Sequence, residues 1–382
     1  MKVPEESEFM KIREFRLESY FDKYEFSAPY LLAQSDCETM STDELLSLEP
    51  GTKELLLNSR LGYTEVSGSP ELRQLASSLY SSVSEDEILM HTGAEEAVFC
   101  FMNVLLNRGD HIITMFPAYQ SLYEIALSIG CTVSNWELRA LDGRWAADFD
   151  ELENLIRPET RLIAVNSPNN PTGYTFSENE IRKLCAIARK HGIFIFADEV
   201  YRGLDTDGLN RPWIADVYEK AVSLGVLSKA YGLAGLRTGW TASHDRNILS
   251  EMKNYKTYLS ICSSVPSEIL ACAALKNSGM LLERNNKILR DNLRTADRFF
   301  EAHKDIFTYM RPQCGPVGFH RINSGVQSDV FCTQLADKAG ILLLPSSVYE
   351  YDDSYFRMGF GRLSFAENIK RLEEYLTDGK YI

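Results

Sequence analysis

Between residues 60 and 280 short apolar runs alternate with stretches of helical spacing. The apolar runs are Ile88–Met90, His111–Met115, Thr132–Trp136, Arg161–Val165, Ile193–Ala197 and Val222–Leu227. Most are continuous rather than alternating, as expected for strands buried on both faces. Between them AEEAVFCFMNVLL, QSLYEIALSIG and residues 178–190 read as helices. Such alternation predicts an open, mostly parallel sheet covered by helices.

After about residue 267 the pattern changes. A helical region over 267–303 is followed by strand candidates at 318–322, 340–344 and 356–360. Helices are expected near 329–338 and from Glu367, which together suggest a smaller α/β unit. The first 45 residues carry few regular signals. They are expected to run along both units and contribute to the active-site rim. The expected division is therefore 1–45, then a large domain over 46–285, then a small domain over 286–382. No internal repeat, low-complexity tract or long linker interrupts it.

Composition narrows the function classes. Forty Lys and Arg against 54 Asp and Glu give a net charge of −14, which disfavours nucleic acid as a partner. No apolar run approaches a membrane span, and the N-terminal residues lack the apolar core of a signal peptide. Eight scattered cysteines form no CxxC pair, as in a cytoplasmic protein with reduced thiols. Six histidines show no HExxH spacing, so no metal site is expected.

The chemistry is expected where the strands end, because open parallel sheets bind ligands beyond the carboxyl ends of their strands. Those ends read HTGAEE, FPAYQ, NSPNNPTG, DEVYRG and SKAYGLAGLRTG. Each has an ordinary explanation. Gly93, Ala94 and Glu95 could simply start a helix, and Asn170 could brace a loop. Asp198 could cap a helix, Tyr119 could pack in a turn, and Lys229 could be a solvated charge. Taken together they suit one ligand: a flat ring with an anionic group, a basic ring nitrogen and an electrophilic carbonyl. Pyridoxal phosphate has those parts, and an amine, an arginine with helix amides, and a carboxylate are what it needs.

Through NSPNNPTG and SKxxGxxGxRxG the chain resembles the class I/II aminotransferases, fold type I pyridoxal-phosphate enzymes, over about residues 30–380. The resemblance implies a large domain with a mostly parallel seven-stranded sheet, a smaller α/β C-terminal domain and a homodimer with shared active sites. It makes Lys229 the lysine that holds the cofactor as an imine and shuttles the substrate proton. Asp198 becomes the partner of the pyridine nitrogen, and Tyr201 and Asn170 the pair on the phenolic oxygen. Arg237, with the amides of Gly93, Ala94 and Glu95, would hold the phosphate. Tyr119 would stack on the ring, and Tyr63 would reach the phosphate of the neighbouring subunit. Arg357 would grip the substrate α-carboxylate, with Arg362 as its rival.

The chain departs from the family pattern in three places. Val226 stands where a Gly or Ser is usual, so a hydroxyl contact to phosphate is lost and Ser228 is the candidate replacement. Thr238 replaces an apolar residue after Arg237. AQSDCETM replaces a Gly-Glu/Gln-Pro stretch, making Ser35 and Asp36 candidate pocket residues. YFDKYEFSAPY is a candidate pocket wall. The implied reaction is ping-pong transfer of an amino group between an L-amino acid and a 2-oxo acid, within amino-acid biosynthesis. The same parts also serve β-C–S lyases and enzymes of modified-arginine metabolism. A non-enzymatic regulator with this fold would need an N-terminal DNA-binding module, for which the acidic segment before Tyr63 is too short.

Overall fold

The protein is described by a computed structural model over residues 11–377. Its main sheet has seven strands: β1 (Ile88–His91), β2 (His111–Phe116), β3 (Thr132–Glu137), β4 (Thr160–Asn166), β5 (Phe194–Asp198), β6 (Ala221–Val226) and β7 (Gly239–Ala242). Their order across the sheet is β1-β7-β6-β5-β4-β2-β3. Only β7 runs against its neighbours. The strands lie within a residue or so of the apolar runs. β4 shows why those runs are continuous: Leu162 and Ala164 face one core, while Ile163 and Val165 face the other.

Helices return the chain between parallel strands. Glu178–His191 begins at a capping box, in which Ser177 accepts from the Glu180 amide while Glu180 accepts from the Ser177 amide, and ends at left-handed Gly192. Ala94–Leu105 and Ser121–Ile129 follow β1 and β2.

The second unit is built on a four-stranded sheet of β8 (Phe307–Thr308), β9 (Val317–Ile322), β10 (Leu344–Pro345) and β11 (Tyr355–Gly359), ordered β8-β9-β11-β10. The helix expected over 267–303 is two helices, Val265–Lys276 and Ser278–Ala302, joined at Asn277. The second reaches both units. Asn285 and Asn286 donate to Ala230 O and Gly203 O, and Asn292 donates to Phe360 O and Arg362 O. The boundary expected at 285 falls inside this helix.

The N-terminal segment is more regular than expected. It holds a helix at Arg16–Tyr24, and Tyr30–Leu31 pairs in parallel with Ile341–Leu342. That pairing is long-range and leaves no local periodicity to read. The helix is short and partly exposed, with only Leu17 and Tyr24 buried, so its apolar pattern is faint. No described helix is long and apolar enough to cross a membrane.

Candidate active site

Strands β1 to β6 end at one edge of the main sheet, and five of these ends contribute to a single cavity of about 460 Å³. β7 enters from that same edge because it runs in the opposite direction, which brings Arg237, two residues before it, to the site. Ala94, Glu95, Tyr119, Asn170, Asp198, Tyr201, Ser228, Lys229 and Arg237 all line this cavity.

Asp198 closes β5 beside Asn166, the last residue of β4. The Asn166 side chain donates to Asp198 O at 2.9 Å and accepts from the Asn170 amide at 2.6 Å, tying the following loop to the strand ends. Asp198 Oδ1 accepts from the Val200 amide at 3.3 Å. Burial pushes its carboxyl up to about 7, against the opposing pull of that amide and of Lys229.

Lys229 lies three residues beyond β6. Its backbone carbonyl accepts from the Cys37 and Gly232 amides at 3.2 Å, and Nζ donates to Ser35 Oγ at 3.1 Å. Burial lowers the pKa of this amine, with Asp36 acting against it and Arg357 reinforcing it. A depressed pKa raises the fraction of neutral amine, the nucleophilic form. Tyr201 is buried in the turn after β5, and burial raises its pKa.

Gly93 and Arg237 meet at the end of β1. Gly93 has φ +81°, a backbone conformation that favours glycine, and a Cβ there would stand 2.7 Å from Arg237 Nη2, so the guanidinium would have to move aside. Arg237 is itself left-handed at φ +49°. No carboxylate among the described residues pairs with it. Beside it, Ser228 Oγ is buried without a hydrogen-bond partner. The helix starting at Ala94 has no side-chain cap. Glu95 contributes more than an amide: its side chain opens on the cavity and accepts from Ser121 Oγ at 3.4 Å. The surrounding walls and nearby Asp198 push its carboxyl up to about 7.

Arg357, on β11, reaches the site from the small unit. It is fully buried, donating to Asn170 Oδ1 at 2.9 Å, Tyr349 Oη at 2.6 Å and Ala33 O at 2.5 Å. Its Nε has no partner, and no carboxylate among the described residues neutralises it. Arg362, by contrast, is held by both oxygens of Asp36 at 2.8 Å. Tyr63 lies away from the cavity and is 86% exposed.

Sequence reasoning missed Phe15, Glu18 and Asn166 in the lining, and Tyr349 behind Asn170. Asn166 was readable as the polar residue closing the run RLIAV. Glu18 had no signal. The expected wall YFDKYEFSAPY contributes Phe21, whose ring lies 5.7 Å from the Arg357 guanidinium, while the cavity itself is lined by Phe15 and Glu18 just before it.

Residues 31–376 match the aminotransferase class I and II family. The chain belongs to that family. This aminotransferase shares 33% identity with a pyridoxal-phosphate-dependent aminotransferase from Streptococcus suis of known structure, which superposes with a TM-score of 0.91 over 98% of this chain and 99% of that one. It is 27% identical to capreomycidine synthase of Streptomyces vinaceus, over 90% of this chain and 88% of the relative. Aspartate aminotransferase of Thermotoga maritima is 26% identical over 84% and 83%. The aminotransferase is therefore a pyridoxal-phosphate-dependent transaminase of fold type I, acting on amino acids and 2-oxo acids.

The residues present fit that cofactor. Arg237 without a carboxylate partner, the orphan Ser228 hydroxyl, the uncapped helix start and Gly93 suit a phosphate. Asp198, costly to ionise when buried, gains from a cationic ring nitrogen.

Proposed function

We propose that Lys229 forms the covalent link to pyridoxal phosphate and that Asp198 pairs with its ring nitrogen. The observation that carries this is the convergence of a half-buried amine of lowered pKa and a buried carboxyl of raised pKa on one cavity. The cofactor, when bound, supplies the electron sink for cleaving bonds at the substrate α-carbon.

Each residue then has a defined task. Asp198 keeps the ring nitrogen protonated. Tyr201 and Asn170 hydrogen-bond the phenolic oxygen, and Tyr119 covers one ring face. Arg237, Ser228 and the amides of Gly93, Ala94 and Glu95 hold the phosphate, with Ser228 standing in for the hydroxyl that Val226 lacks. Arg357 would bind the α-carboxylate, and the Lys229 amine would take up the proton lost from the substrate α-carbon. Ser35 fixes the amine when it is free. The lack of a carboxylate partner favours Arg357 over Arg362 in this task.

The functional unit we infer is a homodimer. Leu57, Leu61, Tyr63 and Tyr258 are large apolar residues at 76–86% exposure. Thr64 Oγ1 donates to Ser263 O at 3.0 Å, which brings their two segments side by side. An exposed apolar surface of this kind suits a second copy, from which Tyr63 reaches the neighbouring phosphate. We take residues 46–285 and 286–382 as its two domains. Eight free cysteines, seven of them buried, support a cytoplasmic setting.

Borohydride reduction followed by peptide mapping tests the central assignment. The cofactor should be recovered on Lys229, and Lys229→Ala should lose both the visible imine band and turnover. Recovery on another lysine would refute the assignment. Ammonia released continuously without a 2-oxo acid acceptor would make the reaction an elimination instead.

A further inference from the structure

A strap formed by residues 13–18 closes one side of the cavity. Phe15 packs on Tyr119 with ring centroids 5.0 Å apart, and Tyr119 Oη donates to Glu18 Oε1 at 2.8 Å. The Arg16 amide donates to Gln120 Oε1 at 3.0 Å, and Gln120 Nε2 donates back to Glu14 O at 2.9 Å. Arg13 grips Glu124 through several donors. These bonds hold Glu18 at the cavity wall, with its second carboxylate oxygen unpartnered among the described residues.

The charges around the cavity do not balance once the cofactor's partners are set aside. Its charged lining residues are Glu18, Glu95, Asp198, Lys229 and Arg237. Lys229, Asp198 and Arg237 are assigned above, which leaves Glu18 and Glu95, both acidic. Nearby Glu25 has its carboxyl raised by burial, with Asp36 and Glu18 adding to the effect. Arg362 is occupied by Asp36. Arg13 and Arg16 of the strap are held by Glu124 and Glu350. Among the described residues near the cavity that leaves Arg357, buried and with a free Nε, which is assigned above to the α-carboxylate. A substrate anchored there and at Lys229 must direct its side chain into a negative field. Among the described residues of this chain, no free cation lines the cavity to receive an acidic side chain.

We propose that the amino donor of this enzyme carries a cationic side chain, an ammonium or guanidinium group, recognised by Glu18. This rests on the reading of Lys229 and Arg357 given above. A charge-assisted hydrogen bond to Glu18 discriminates a cation from a neutral isostere by roughly ten- to hundredfold.

The test uses holoenzyme and compares L-arginine and L-ornithine with L-citrulline, the neutral isostere of arginine, and with L-glutamate. The readout is loss of the visible imine band in single turnover without acceptor. Arginine or ornithine should exceed citrulline and glutamate by at least about tenfold in kcat/KM. A preference for arginine identifies guanidinium and one for ornithine identifies ammonium, and either supports the proposal. Glu18→Gln should erase most of the preference through KM, and Glu18→Arg should turn it toward glutamate. Calorimetry with 2-methylarginine and 2-methylcitrulline, which lack the α-hydrogen, should show the same preference in binding. The proposal is overturned if citrulline or glutamate reacts as fast as the cationic donors, or if Glu18→Gln leaves the ratio unchanged. In either case a cofactor still mapped to Lys229 leaves the parent reading standing. If no amino acid reacts and Lys229 holds no cofactor, both readings fall together.

Discussion

The two ends of the cavity are built in different ways. At the sheet end, Gly93, Asn166, Asp198, Ser228 and Arg237 lie within two residues of a strand terminus. Their spacing is set by backbone register, Asn166 opposite Asp198 and Gly239 opposite both His91 and Val226. At the rim, partners come from distant parts of the chain. Arg13 meets Glu124 at a separation of 111 residues, Arg357 meets Ala33 at 324, and Arg362 meets Asp36 at 326. Apart from Arg357, many of these rim contacts are partly exposed side-chain bonds, individually weak and easily replaced. On the proposed assignments, the groups that hold the cofactor sit on strand ends fixed by register, and those that would meet the substrate side chain sit on long-range rim contacts.

The sharpest way to break this contrast is Asp198→Asn. Cofactor should remain bound, while α-proton removal in single turnover slows by roughly a hundred- to a thousandfold or more, on the scale of losing one preorganised electrostatic partner. An undiminished rate would place the decisive electrostatics elsewhere. The same position has a pH signature in cofactor-free protein. Burial pushes its carboxyl up to about 7, above the ordinary aspartate value of 3.8, so the folded state holds the proton more tightly. Stability then falls as pH rises from about 4 to about 7. Denaturant titrations across that range should show a drop that Asp198→Asn reduces.

An intermediate effect is expected at Arg357, where a buried residue of the small unit meets the sheet end. Arg357→Lys keeps the charge but loses the planar fork. Steady-state kinetics should show kcat/KM lower by on the order of 2–4 kcal/mol, roughly thirty- to a thousandfold. A lysine variant near wild type would mean that charge alone suffices. The smallest effect belongs to the strap. Arg13→Ala removes a half-exposed anchor and should raise substrate KM by no more than about fivefold, with cofactor affinity unchanged. A change in cofactor affinity would show that the two ends are not separable.

This contrast also explains what could be read from the sequence. Continuous apolar runs mark strands buried on both faces, and each strand-end group lies directly beyond such a run. Lys229, Asp198 and Asn170 were therefore legible together with the sheet. The antiparallel β7 has only four residues and was not singled out, although Arg237 before it was. Glu18 was invisible for a physical reason: its meaning depends on Tyr119, 101 positions away, and on a short exposed helix with little periodicity. The break at Asn277 was hidden because helical spacing continues on both sides of it.

The helix Ser278–Ala302 carries its two grips at fixed angular phase. Asn285 and Asn292 are seven residues apart, close to two full turns, so both amides emerge on nearly the same side. Inserting one residue between them would swing everything beyond it by about 100°, turning Asn292 away from Phe360 and Arg362 while Asn285 kept its hold on Ala230. An insertion in the loop after Asp205 carries no such phase. The spacing along this helix is thus a ruler read in degrees, and length changes that leave both grips aligned must come close to whole turns.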